Sequence, residues 1–186
     1  RRLASVHASL ADFSHAGAER THLWDLAAAD QHVVGIALVE EADRRRKLEH
    51  CFHLYRASGL KHLHDCPQGM LHGDVNDENI LVLDDDVVGL LDVGDCQQGA
   101  LVQDLAIVLA YALQQEEVDP QQAARVVEGY EQVRVLEQVE RNVLVPLVLA
   151  RLATSISVAE SRRLKVPDHE TWFSHQAATW STLDSL

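Results

Sequence analysis

Apolar residues recur at helical spacing along most of the chain, and the pattern changes period only once. Leu3, Val6, Leu10 and Phe13 mark a first helix over 3–13, which ends before the break at 14–17. From His22 to about Leu63 the spacing stays helical in two or more pieces, with Gly35 and Gly59 as interruptions or ends. The stretch "EEADRRRKLEH" (40–50) mixes both charge signs, as a solvated helix face does. Leu101, Leu105, Val108 and Ala112 form one stripe of a helix over 101–115 whose flanks are also apolar, which predicts burial nearly all round. Pro120 suits the first turn of a further helix, where a missing N–H does no harm. Residues 135–163 make a long helical pattern with a kink expected at Pro146, and 168–183 close the chain.

The change of period falls after the turn Pro67-Gln68-Gly69. "NILVL" (79–83) and "VVGLLDV" (87–93) are short, rich in β-branched residues and separated by Asp84-Asp85-Asp86, which predicts a β-hairpin. The expected fold class is therefore α+β, mainly α: one helical lobe carrying one small hairpin. With 186 residues, 47% of them hydrophobic, the chain suits a single unit with a sizeable core.

Charge and composition narrow the function. A net charge of −13 argues against nucleic acid, which needs a basic stripe. An acidic protein can still take an anionic nucleotide through a bridging divalent cation, and it favours a cationic second substrate. Cys51, Cys66 and Cys96 are odd in number and irregularly spaced, which fits a reducing compartment rather than a disulfide framework. No apolar run approaches the ~18–20 residues of a membrane span, and the first thirty residues lack a signal-peptide pattern. The expectation is a cytoplasmic protein with no membrane partner. Residue 1 is Arg and the only Met is Met70, so the chain is expected to come from something longer.

Two polar clusters flank the hairpin. The first is His72-Gly73-Asp74, with Asn79 five positions after the Asp; the second is Asp92-Val93-Gly94-Asp95. Antiparallel strands lie ~4.8 Å apart, so Asn79 and Asp92 should be neighbours at one end of the hairpin, faced by Asp74. Mg²⁺ takes hard oxygen ligands, and an Asn carbonyl with an Asp carboxylate would supply the protein's share. A separate Asp can then accept the proton of an attacking hydroxyl in a phosphoryl transfer. Gly73 and Gly94 permit tight turns beside bulky phosphates.

These segments resemble a known family. "HGDVNDEN" followed by "LLDVGD" is similar to the signature of the aminoglycoside phosphotransferase and choline kinase group, a branch of the protein-kinase-like fold. "HGDVNDENILV", "GLLDVGD", "DLAIVLAYAL" and "FSHAGAERTHLWDL" (13–26) look most like its hydroxylysine kinase branch. The resemblance implies Asp74 as catalytic base, Asn79 and Asp92 as metal ligands, His72 and Gly73 as the brace and turn of the loop, and Asp104 as its hydrogen-bonded support. Asn76 and Asp95 are candidates for contacts behind the metal or to the substrate, and Asp95 reads equally as a turn residue. Asp77 and Glu78 read as solvated loop charges. Val93 departs from the family's usual aromatic.

The implied reaction is transfer of the γ-phosphoryl group of ATP or GTP, with Mg²⁺, to a hydroxyl of an amino alcohol or hydroxy amino acid, 5-hydroxylysine first among them. The chain would be the C-terminal catalytic lobe, residues 1–186. It has no Gly-rich loop and no strand lysine, so the N-terminal nucleotide-binding lobe would be absent and the isolated piece inactive; covalently linked further domains stay open. The rival readings are a kinase-like binding module without catalysis and a metal-dependent hydrolase. His62, His64 and Cys66, with Cys51 and His53, hold zinc-type ligands in a spacing unlike a zinc site. Trp24, Trp172 and Trp180 read as packing anchors ahead of a cage for a cationic substrate.

Overall fold

The structure, a computed structural model, describes residues 1–114, 119–166 and 176–186. In chain order it places α1 (Arg2–Ser9), a 3₁₀ segment (Leu26–Leu38), α2 (Ala42–Leu54) and a π turn (Tyr55–Leu60). Strands β1 (Gln68–Leu71), β2 (Ile80–Leu83), β3 (Asp86–Leu90) and β4 (Gln97–Ala100) follow. Helices α3 (Val102–Ala112), α4 (Pro120–Glu131), α5 (Gln138–Arg163) and α6 (Gln176–Ser185) complete it. The fold is mostly helical with small antiparallel sheets.

Helix α5 is the spine. A reciprocal capping box between Glu137 and Glu140 starts it, and Pro146 lies inside a helix that continues to Arg163. By length and composition α5 resembles a membrane span, which the short apolar runs of the sequence had not suggested; 72% of its most apolar window is buried inside the protein, the position of a core helix. Against it pack α2, α3, α6 and the 3₁₀ segment. Helix α3 is buried on nearly every side, as its apolar flanks predict.

The 3₁₀ segment is long for its kind, since such runs rarely exceed three or four residues. Residues three apart stack on one face of a 3₁₀ helix, and Leu26, Ala29 and Gly35 share that period and are all buried. Its contact with α5 is so close that a Cβ at Gly35 would lie 2.1 Å from the Ser157 carbonyl oxygen. Gly35 is therefore a packing residue within an element, not the interruption its sequence position suggested.

The first helix is shorter than expected and faces another way. It ends at Ser9, Phe13 is exposed, and the inward face is Leu3, Ala4 and His7. A polar side chain takes the core position because it has partners there, described below.

The hairpin forms as predicted: β2 pairs with β3, Ile80 opposite Leu90, through a turn in which Asp84 and Asp85 both take positive φ. A second sheet was not foreseen. β1 pairs antiparallel with β4, Gln68 opposite Ala100 and Leu71 opposite Gln97. "QGML" and "QQGA" lack the β-branched alternation that marks strands, so the expectation of a single hairpin is corrected to two two-stranded sheets. Gly69 faces Gly99 across this sheet, where side chains would strike Leu101 and Leu71. The sheet clamps the start of the 72–79 loop against the end of the 92–95 loop.

Candidate active site

Asp104, on the first turn of α3, organises the loop from below. It is fully buried, and its carboxylate accepts the backbone N–H of His72 (2.8 Å) and of Gly73 (2.9 Å). The same carboxylate meets His7 Nε2 at 3.0 Å. A carboxylate only accepts, so this histidine nitrogen carries the proton and donates it. His7 Nδ1 lies 2.9 Å from the Tyr130 hydroxyl, and Arg134 also donates to that oxygen at 3.3 Å. Sequence reasoning missed His7 and Tyr130; a polar residue at the buried phase of α1 was the available signal.

Above Asp104 the loop turns sharply. Gly73 has φ of +86°, and a Cβ there would sit 2.4 Å from the Asp95 carbonyl oxygen. Only glycine satisfies both demands, and the two loops touch because of it. His72 ties them a second time: its Nε2 donates to the Leu91 carbonyl at 2.8 Å, while its Nδ1 accepts from the Asp74 N–H at 3.3 Å.

The Asp74 carboxylate is held on one oxygen. Oδ2 accepts from the side-chain amides of Asn76 (2.9 Å) and Asn79 (3.1 Å), and the Asn79 amide also reaches the Asp74 carbonyl at 2.9 Å. Asn76 Oδ1 in turn caps the Asn79 N–H at 3.0 Å. The other oxygen, Oδ1, faces Arg151 at 3.7 Å. Asn76 is thus placed as a brace of Asp74.

Asn79 and Asp92 come together as the hairpin geometry requires. The Leu91 N–H donates to the Asn79 carbonyl at 2.8 Å, which puts Asp92 beside Asn79. Asp92 sits at φ +56°, its Oδ1 accepts the Gly94 N–H at 3.2 Å, and its side chain is exposed. Asn79 spends its amide hydrogens on Asp74, which leaves its Oδ1 to face a cation. An amide oxygen and a carboxylate are donors that Mg²⁺ accepts, so this pair fits the ion.

The 13–26 segment closes over the second loop. Arg20 donates to the carbonyls of Gly94 and of Cys96 (3.0 Å), and His22 Nε2 lies 2.6 Å from Asp95 Oδ1. Asp95 is therefore held by His22 on one side and packs its carbonyl on Gly73 on the other. Val93 is exposed rather than packed.

Beside Asp74 opens a cleft of about 240 Å³ between the loop and α5. Its wall on α5 is one helical stripe running from Arg151 through Ser155 to Arg162. Arg151 is buried; it donates to the Tyr111 hydroxyl (2.9 Å) and to Ser155 (3.1 Å), and its guanidinium carbon lies 4.6 Å from the Trp24 ring centre. The guanidinium carbon of Arg162 lies 5.6 Å from the same ring. Asp77 and Glu78 line the cleft while remaining exposed. Arg151, Tyr111 and Trp24 were not singled out for this site from sequence; a lone arginine inside the apolar run "VLVPLVLARLA" was the signal.

The other clusters behave differently. Trp180 is buried with Arg44 over its ring, a packing contact, and Trp172 lies outside the described residues. His62 and His64 both face Asp65, and among the described residues no three His, Cys, Asp or Glu side chains gather to hold a metal. Cys51 and Cys66 are buried, and desolvation pushes both thiols up to about 11.

The chain is 26% identical to a hydroxylysine kinase of Bos taurus over 203 residues, covering 100% of this chain and 53% of the relative. A hydroxylysine kinase of Mus musculus is 27% identical with the same coverage. A homoserine kinase of Gluconobacter oxydans (strain 621H) is 35% identical over 82 residues, 43% of this chain and 26% of that protein. The chain spans about half the length of the hydroxylysine kinases that it matches end to end. Residues 1–141 match the phosphotransferase enzyme family, APH, and that span holds both loops and the Asp104 that supports them. The chain belongs to this phosphotransferase family.

Proposed function

We propose that this chain carries the catalytic loops and the acceptor cleft of a small-molecule kinase. The reaction is transfer of the γ-phosphoryl group of a nucleoside triphosphate, ATP or GTP, to a hydroxyl of an amino alcohol or hydroxy amino acid. The observation that carries this reading is the Asp74 carboxylate: one oxygen is pinned by two amides, and the other is turned toward an open cleft.

Asp74 Oδ1 accepts the proton of the acceptor hydroxyl as its oxygen bonds to the γ-phosphorus. The bond from that phosphorus to the β–γ bridging oxygen breaks, and a nucleoside diphosphate leaves. Asn76 and Asn79 fix the carboxylate so that little reorganisation is needed at that moment. Asn79 and Asp92 would hold Mg²⁺, which when bound neutralises charge on the phosphate oxygens. His72, Gly73 and Asp104 keep the loop in register. The nucleotide-holding half would be a separate N-terminal lobe; the chain spans about half the length of the hydroxylysine kinases it matches. The acidic net charge and the exposed Asp77 and Glu78 favour an acceptor with an amine, and the names of the relatives make 5-hydroxylysine the first candidate.

The test is Mg²⁺-dependent phosphate transfer to 5-hydroxylysine and a panel of amino alcohols, in the protein extended upstream of Arg1. Asp74→Asn preserves shape and removes the base, and a loss of about 10²–10⁴-fold in kcat is expected. Asp92→Ala is expected to abolish turnover, and a rate unchanged in either variant would sink the assignment. Phosphate released to water alone would favour a hydrolase instead.

A further inference from the structure

The cleft next to Asp74 is divided by charge in a way the phosphoryl-transfer chemistry does not require. Among the described residues its acids, Asp74, Asp77 and Glu78, stand on the loop, and its bases, Arg151 and Arg162, stand on α5. In a chain of net charge −13 a buried arginine is costly unless its donors are used. Arg151 uses some on Tyr111 and Ser155, but its Nε is buried without a hydrogen-bond partner among the described residues. Its ion pair with Asp74, at 3.7 Å, is too long for a hydrogen bond, so that carboxylate does not supply the acceptor that Nε lacks.

We infer that the arginine side of this cleft, Arg151 and Arg162 around Trp24, is the recognition site for a carboxylate of the acceptor, so that the enzyme selects a hydroxy amino acid over an amino alcohol. This rests on the kinase reading above. A carboxylate accepts several hydrogen bonds at once and matches the planar fork of a guanidinium, which makes arginine its natural partner. Both guanidinium carbons lie within 6 Å of the Trp24 ring centre, which gathers the two charges against one rigid surface. The ammonium group of the same acceptor then faces Asp77 and Glu78 on the opposite wall. A zwitterion with a hydroxyl answers both walls; an amino alcohol leaves the unpartnered Nε of Arg151 without an acceptor, and a hydroxy acid without an amine leaves the acids.

The experiment compares 5-hydroxylysine with its decarboxylated counterpart, 1,5-diaminopentan-2-ol, in the protein extended upstream of Arg1. Transfer kinetics and ligand-observed NMR binding are both read. The wild type is expected to prefer the amino acid by roughly 100-fold or more in kcat/KM, carried in KM, because a site built around polar partners rejects an analogue that lacks them. In Arg162→Ala, at the outer end of the stripe, that ratio is expected to fall toward one. Arg151→Lys keeps the buried charge but loses the fork, and should lower the ratio at least tenfold. A wild type with no preference, or a preference unchanged in both variants, overturns the inference. So does an equal fall in kcat for both acceptors, which would assign the arginines to the phosphoryl group. Carboxylate-selective binding without transfer to any acceptor would overturn the kinase reading and leave this one standing. Transfer that ignores the carboxylate would do the reverse.

Discussion

Asp104 shows how one side chain can govern a site it does not enter. With no exposed surface it accepts two consecutive backbone N–H groups and a histidine, and each bond fixes the loop that presents Asp74. Gly73 is the other fixed point. Gly73→Ala would place a methyl against the Asp95 carbonyl at a φ that L-residues avoid, with an expected cost of about 1–3 kcal/mol in denaturant unfolding. Because the clash pushes the two loops apart, transfer should fall by roughly 100-fold even where the variant stays folded. The cysteines make a simpler prediction. The Cys51 and Cys66 thiols at about 11 hold far less thiolate at neutral pH than an ordinary thiol, and raising pH favours reaction only as it approaches that value. Alkylation at pH 7.5 is expected to modify Cys96 first, since it is only half-buried, and to reach the other two only on unfolding. Rapid modification of Cys51 in the folded protein would contradict its burial.

Among the elements, those with a strong local period match their sequence signal, and those held by distant partners do not. Helix α3 and the β2–β3 hairpin appear where the pattern places them. Helix α1 turns a different face inward because His7 finds Asp104 and Tyr130, partners about a hundred residues away. The β1–β4 sheet joins two weak segments whose pairing depends on the loops between them. Likewise the Leu26–Leu38 segment becomes 3₁₀ where it lies on α5. There Gly35→Ala separates local preference from packing. Alanine in a free helix stabilises by about 1 kcal/mol relative to glycine, whereas overlap with the Ser157 carbonyl is expected to reverse the sign and destabilise by about 1–3 kcal/mol. A thermal melt that shows stabilisation would mean that the segment does not lie as close to α5 as described.

Taken whole, the molecule buries its core around α5 but leaves the outer hairpin apolar and bare. Leu81, Val82, Leu83 and Val88 are exposed there, with Leu91 and Val93 just beyond. Exposed apolar side chains gathered on one hairpin offer a surface that a partner can cover. Under the proposed function the nucleotide-holding half covers it. The 186-residue chain is therefore expected to bind an apolar fluorescent dye, and restoring the upstream half should suppress that binding. Dye fluorescence that persists in the longer protein would put the second half elsewhere.

The sequence alone determined the mainly helical class, the hairpin and the loop residues His72, Gly73, Asp74, Asn79 and Asp92. Each of these rests on neighbours within about twenty positions: a helical period, a strand pair closed by a short turn, polar groups at fixed spacing. The tertiary structure alone decided which side chains meet that loop. Arg151 reaches Asp74 from a helix far downstream, Trp24 comes from far upstream, and His7 from the first helix. No local pattern encodes those meetings, because they depend on how α5 packs against the rest of the chain.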